Sequence, residues 1–358
     1  MLANEIRRVA ETAAGWTSDE NAFWCALAAL EQRAATVGPA ELSDVVHGLA
    51  DLFPVLPLDA GAELSLRCAA FVERGADPTP VAGPLLTCAL RALNGCVVLD
   101  RAWLGSSPGG KRHVELPDSA TSVGAIRDAL TAVVGNAQAY EAAMGWHTIS
   151  RWQHAVSVLL QQRAVRDQLH EQPLTRQAWM DAVDACAEFL PEVMDLSVLL
   201  AVLDDEPLMV LHRASGRGYR LRMSGIPNVF QLHTLLAARL IGTGEWGLIE
   251  DAGIGPDPLQ VAAATDSPID TDEMAGYFSS FFSLRDVHGA QIWNHSIPAD
   301  IPLVHGHRVI VLDQQTNIER WDIGRRFPHM LPTLTVTRHL GPAESRRWLR
   351  YIAPAPTD

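Results

Sequence analysis

Up to about residue 200 the apolar side chains recur every three to four positions, and beyond Asp204-Asp205-Glu206-Pro207 the interval drops to two. A helix buries a stripe of side chains and a half-buried strand buries every other one, so this change of period constrains the fold more than any single residue. It predicts an α+β protein, predominantly helical. An antiparallel helical stack over residues 1–203 is followed by a smaller α+β part over 204–358 that contains an antiparallel hairpin. A length of 358 residues fits two domains, and 48% apolar residues is enough to fill their cores.

Local signals mark the helices. Thr17-Ser18-Asp19-Glu20 reads as a capping box that leads into Phe23, Leu27, Leu30 and Ala34 on one face. Gly38-Pro39 opens the next helix, where a proline costs nothing because the first-turn N–H groups have no partner inside the helix. Leu42, Val45, Val46, Leu49, Leu52 and Phe53 then form an amphipathic stripe, and Pro54 ends it. Leu64, Cys68, Phe71 and Val72 mark a third helix, and Val81, Leu85, Cys88 and Ala89 begin a fourth. The starts lie about twenty residues apart, as in helical solenoids, but no residue signature recurs from one to the next. Helical patterning resumes at Val123, Ile126, Leu130 and Val133, again over one long segment from Thr148 to His170, and around Trp179. After the boundary, Leu208–Leu211 and Tyr219–Met223 flank a Gly-bearing turn and predict the hairpin. Pro227-Asn228 opens a helix, Val309–Leu312 and Leu334–Thr337 are further strands, and Ala343–Ile352 closes the chain as a helix.

Composition narrows the function classes. The net charge of −14 disfavours nucleic acid and anionic membrane as partners over the surface as a whole. Met1–Arg8 lacks the apolar core of a signal peptide, and Leu196–Leu203 is too short to span a bilayer, so a cytoplasmic protein is expected. Cys25, Cys68, Cys88, Cys96 and Cys186 have no C-x-x-C spacing and sit among Ala and Leu, which reads as packing.

Four constellations could carry chemistry. Gly105–Lys111 fits G-x-x-x-x-G-K, but Arg112 stands where a magnesium-holding hydroxyl belongs and no helix follows, so it reads as a loop. His295, His305 and His307 could present imidazoles to a divalent metal, with Glu206, Asp313 or His288 as base or supporting partner. Arg220 and Arg222 project from the same side of their strand, and Arg325-Arg326 could form a second clamp, so these four are candidates for anion contacts. The competing reading is charge balance within the fold, against the acidic window of Glu245, Glu250, Asp251, Asp257, Asp266, Asp270, Asp272 and Glu273. That window lacks the order of a calcium loop and reads as a long binding loop or lid, or equally as a disordered segment.

No hydrolase or dinucleotide signature is present. The expectation is a non-catalytic binding or accessory protein that presents a helical surface to a protein or peptide partner, with arginine-lined anion contacts. The alternative is a metal-dependent enzyme acting on a small acidic molecule or peptide at His295, His305 and His307.

Overall fold

The computed structural model describes all residues except 1, 16–18, 106–115, 119, 242–255, 257, 266–280, 315–325 and 355–358. It divides into two compact units, Met1–Leu200 and Ala201–Asp358.

The first unit is built of α1 (Leu2–Ala14), α2 (Glu20–Ala34), α3 (Pro39–Leu49), α4 (Leu58–Glu73), α5 (Thr79–Gly105), α6 (Val123–Val134), α7 (Asn136–Leu160), α8 (Arg163–His170), α9 (Pro173–Cys186) and α10 (Met194–Leu200). The stripe on α3 is buried throughout, and a 3-10 turn, Ala50–Leu52, carries it into Phe53. The N-cap of α2 is Asp19, whose carboxylate accepts from the Ala22 amide, in place of the capping box starting at Thr17. The segment expected as one helix from Thr148 to His170 is two, because the helix breaks at Gln161-Gln162. Buried Arg166 stabilises that break, donating from Nη1 to the carbonyls of Leu160 (2.8 Å) and Gln161 (2.9 Å) at the end of α7.

The stack is not simply sequential. α7 runs antiparallel along α5, with Gly145 beside Ala92 and Gly95 beside Glu141, and it packs on α4 as well, with Trp152 beside Gly61 and Phe53. An ion-pair network of Glu31, Arg67, Glu63 and Arg151 joins α2, α4 and α7. Thr79–Trp103 of α5 is long and apolar enough to cross a membrane, but α4, α7 and α9 pack along it as they would along a core helix.

The second unit holds β1 (Glu206–His212), β2 (Arg217–Ser224), α11 (Val229–Leu240), α12 (Pro258–Thr265), β3 (Ser283–Arg285), β4 (Leu303–Val304), β5 (His307–Asp313), β6 (Thr333–His339) and α13 (Pro342–Leu349). The expected hairpin is β1–β2, in regular antiparallel register from Glu206↔Met223 to His212↔Arg217. The sheet order is β3-β5-β1-β2-β6, with β4 also on β5, and β1 and β5 are parallel. Alternation gives the sheet two buried faces. Leu208, Val210, Tyr219, Leu221, Met223, Ile310 and Leu312 pack with α11. Met209, Leu211, Val309 and Val311 pack on the other face with Leu340, Trp348 and Leu349, around α13. Gly218 lets α13 approach, since a Cβ there would lie 2.7 Å from Leu340 and 3.0 Å from Ser345 Oγ.

Candidate functional site

The three candidate metal ligands do not come together. Val304-His305-Gly306-His307 is a tight β4–β5 hairpin with His305 and Gly306 at φ values of 49° and 76°. Both central residues being left-handed is the mark of a type I′ turn, so His305-Gly306 plays the part that Asn-Gly usually plays. His305 and His307 both meet Trp348 edge-on, with ring centroids at 6.0 and 6.3 Å. His295 instead packs on Phe230 of α11, the helix that covers the opposite sheet face. Among the described residues no three His, Cys, Asp or Glu side chains are gathered so as to hold a metal ion. Glu206 and Asp313 are engaged elsewhere. Glu206 pairs with Arg308 at 2.9 Å, and Asp313 pairs with Arg213 at 2.7 Å and with Arg285 at 3.4 Å. His305 and His307 do share a side, as alternation predicts, but the connection from His295 does not fold back to them.

The arginine candidates divide in two. Arg325 lies outside the described residues, as do Lys111 with most of its glycine-rich loop and all eight acidic residues of the window from Glu245 to Glu273. Arg326 stacks over Phe327 at 5.6 Å. Arg220 and Arg222 do share the sheet face of α13, opposite Tyr219, Leu221 and Met223. Charge balance within the fold is part of their chemistry. Arg220 donates to Glu344 at 3.0 Å, and Arg338, its cross-strand neighbour on β6, chelates the same carboxylate at 2.6 and 2.7 Å. Arg222 donates to the Asp205 carbonyl at 2.6 Å. Among the described residues, the carboxylates that pair with arginines of this unit include Glu344, Glu206 and Asp313.

Balance is incomplete around α13. Glu344 is shared by two guanidiniums, and the same helix and its C-cap add Arg346, Arg347 and Arg350, all exposed. Arg346 and Arg350 hold carbonyls of the helix itself through Nε, which leaves their outer Nη groups at the surface. Arg220, Arg222, Arg338, Arg346, Arg347 and Arg350 thus lie on β2, β6 and the α13 segment in a chain of net charge −14. The same segment carries aromatic rings. Trp348 meets both His305 and His307, and Tyr351, 68% exposed, packs edge-on to His305 with centroids 6.4 Å apart. Desolvation first, and then the Arg220 charge, push the His307 pKa below its ordinary value, with Glu206 opposing them.

The sequence pointed to Arg220 and Arg222 but not to Arg338, Arg346, Arg347 and Arg350. The available signal was the run Glu344-Ser345-Arg346-Arg347-Trp348-Leu349-Arg350, in which four charges surround one buried serine and one aromatic. No protein-family model matches the chain, and no curated protein or solved structure matches it either.

Proposed function

We propose that this is a binding protein whose α+β unit takes up an acidic segment of a partner protein on the basic, aromatic-flanked face around α13. The observation that carries this reading is Glu344 shared by Arg220 and Arg338, with exposed Arg346, Arg347 and Arg350 added by the same helix and its C-cap, in an otherwise acidic chain. Exposed guanidiniums offer planar pairs of N–H donors that match a carboxylate, and the rings of Trp348 and Tyr351 give apolar surface to the residues between the acids. A short acidic peptide needs only a few cations. A nucleic-acid backbone needs a longer track of them and would be repelled by the rest of the surface. Catalysis is not part of this reading, because the histidines that could have held a metal are spread over two sheet faces.

The test is fluorescence anisotropy with a labelled peptide rich in glutamate. Arg347→Glu with Arg350→Glu should weaken binding by about tenfold or more and flatten its dependence on salt. The same charge change at the exposed pair Arg7 and Arg8 of α1 should leave affinity unchanged. Equal affinity in the α13 double variant would sink the proposal.

A further inference from the structure

Among the described residues the sheet has one protected edge and one open edge. On the β3 side the chain folds back over it. The Ile292 amide donates to the Leu284 carbonyl, the Asp286 amide donates to the Ala290 carbonyl, and Gln291 bridges to Arg285. At the other side, among the described residues, β6 is hydrogen-bonded to β2 alone. Its sequence, Thr333-Leu334-Thr335-Val336-Thr337-Arg338-His339, is rich in β-branched residues, and Thr333, Thr335, Thr337 and Arg338 are exposed. Leu334 and Val336 anchor the strand to the core under α11. In an antiparallel ladder alternate residues direct both N–H and C=O away from the neighbour, so from Thr333 to Arg338 these outward groups find no described protein partner.

Edges of this kind are normally blunted, because they are templates for a further strand. Here the blunting is confined to one end. The register with β2 shifts between Arg220 and Leu221, a bulge that sets Arg338 opposite Arg220 and leaves Thr337 looped between them. Thr333–Val336 remains in regular register with Leu221–Ser224 and carries no charge of its own. A regular stretch thus ends at an exposed arginine that is already crowded by a second cation across Glu344.

We propose that the acidic segment binds by strand addition, pairing its backbone with the open edge of β6 and setting acidic side chains against Arg338. This rests on the acidic-partner reading above and specifies how the partner is held. Main-chain hydrogen bonds to Thr333–Val336 supply affinity without regard to sequence, and the cross-strand pair with Arg338 selects an acidic residue at that register.

The probe is a short synthetic peptide alternating glutamate and valine, tested on the full chain beside two copies N-methylated either at every glutamate or at every valine. N-methylation deletes the donors of one peptide edge without touching charge. One of the two methylated copies should therefore bind about tenfold more weakly than the parent. Hydrogen exchange at 333–338 should slow by about tenfold when the parent peptide saturates the protein. If both methylated copies bind like the parent, or β6 exchange is unchanged at saturation, strand addition is overturned. The proposed function stands in that case, provided Arg347→Glu with Arg350→Glu still weakens binding. No binding of any peptide overturns both. Protection of β6 that rises with protein concentration alone, together with dimers in sedimentation, overturns strand addition by the partner and assigns the edge to a second copy of this chain.

Discussion

The backbone N–H groups of Phe281 and Phe282 both point at Nε2 of His233, at 3.1 and 3.4 Å, while Nδ1 faces the Asn294 side-chain oxygen at 3.5 Å. This arrangement needs a neutral ring with its proton on Nδ1, because a protonated Nε2 would repel both amides. Burial reinforces it and lowers the pKa from 6.5 to about 4. A histidine depressed in the folded state stabilises the fold fully above the unfolded value near 6.5, and that contribution is lost as pH falls through the window toward 4. At pH 5 the α+β unit should be about 2 kcal/mol less stable than at pH 7.5 on this account. His233→Gln keeps an acceptor for the amides but does not titrate, so its urea midpoint should depend less on pH across the same window. An unchanged pH slope in the variant would assign the acid sensitivity to other groups. The three buried thiols show the same physics, since desolvation raises Cys68, Cys96 and Cys186 and keeps them as packing groups.

At the scale of elements, α5 and α7 approach closely because two glycines face the contact. A Cβ on Gly145 would lie 2.4 Å from the Ala92 carbonyl oxygen, and one on Gly95 would lie 2.8 Å from that of Glu141. The neighbour in each case is backbone, which cannot rotate away. Gly145→Ala should therefore destabilise the helical unit by about 2 kcal/mol in urea unfolding, despite alanine's better helix propensity. A neutral or stabilising result would show that the helices can separate without cost. The stripes on α3 and α4 were legible in the sequence because a helix writes its burial locally, every three or four residues. The β1–β2 hairpin was legible for the same reason, through the turn at Ala214–Gly218. The α5–α7 glycines, the parallel β1–β5 pair and strands as short as Leu303–Val304 were not, because they are defined by partners distant in sequence. The site behaved likewise. Alternation placed Arg220 and Arg222 correctly opposite Tyr219 and Leu221, but Glu344 reaches Arg220 across more than a hundred residues, and no spacing announces that.

At the scale of the molecule, each unit encloses its own core. The clusters under α11 and α13 draw every residue from Ala201–Asp358, and the one around Leu99, Ile126 and Ala142 draws every residue from Met1–Leu200. All five cysteines are free, so no disulfide joins the two units. A unit with its own core and its own hydrogen-bonded elements should fold alone. Residues 201–358 should accordingly give a cooperative thermal transition by circular dichroism when expressed without the rest. The arginines around α13 and the edge of β6 lie wholly within that piece, while most of the net charge of −14 belongs to the helical unit. Like charges separated by more than a Debye length of about 10 Å are screened at ordinary salt and felt at low salt. The isolated piece should therefore bind the acidic peptide at least as tightly as the full chain. Any advantage should be largest at low ionic strength and vanish at high. Anisotropy titrations of both proteins over a salt series decide the point. Weaker binding by the folded piece at every salt concentration would mean that the helical unit contributes contacts of its own, and the recognition surface would then extend beyond α13 and β6.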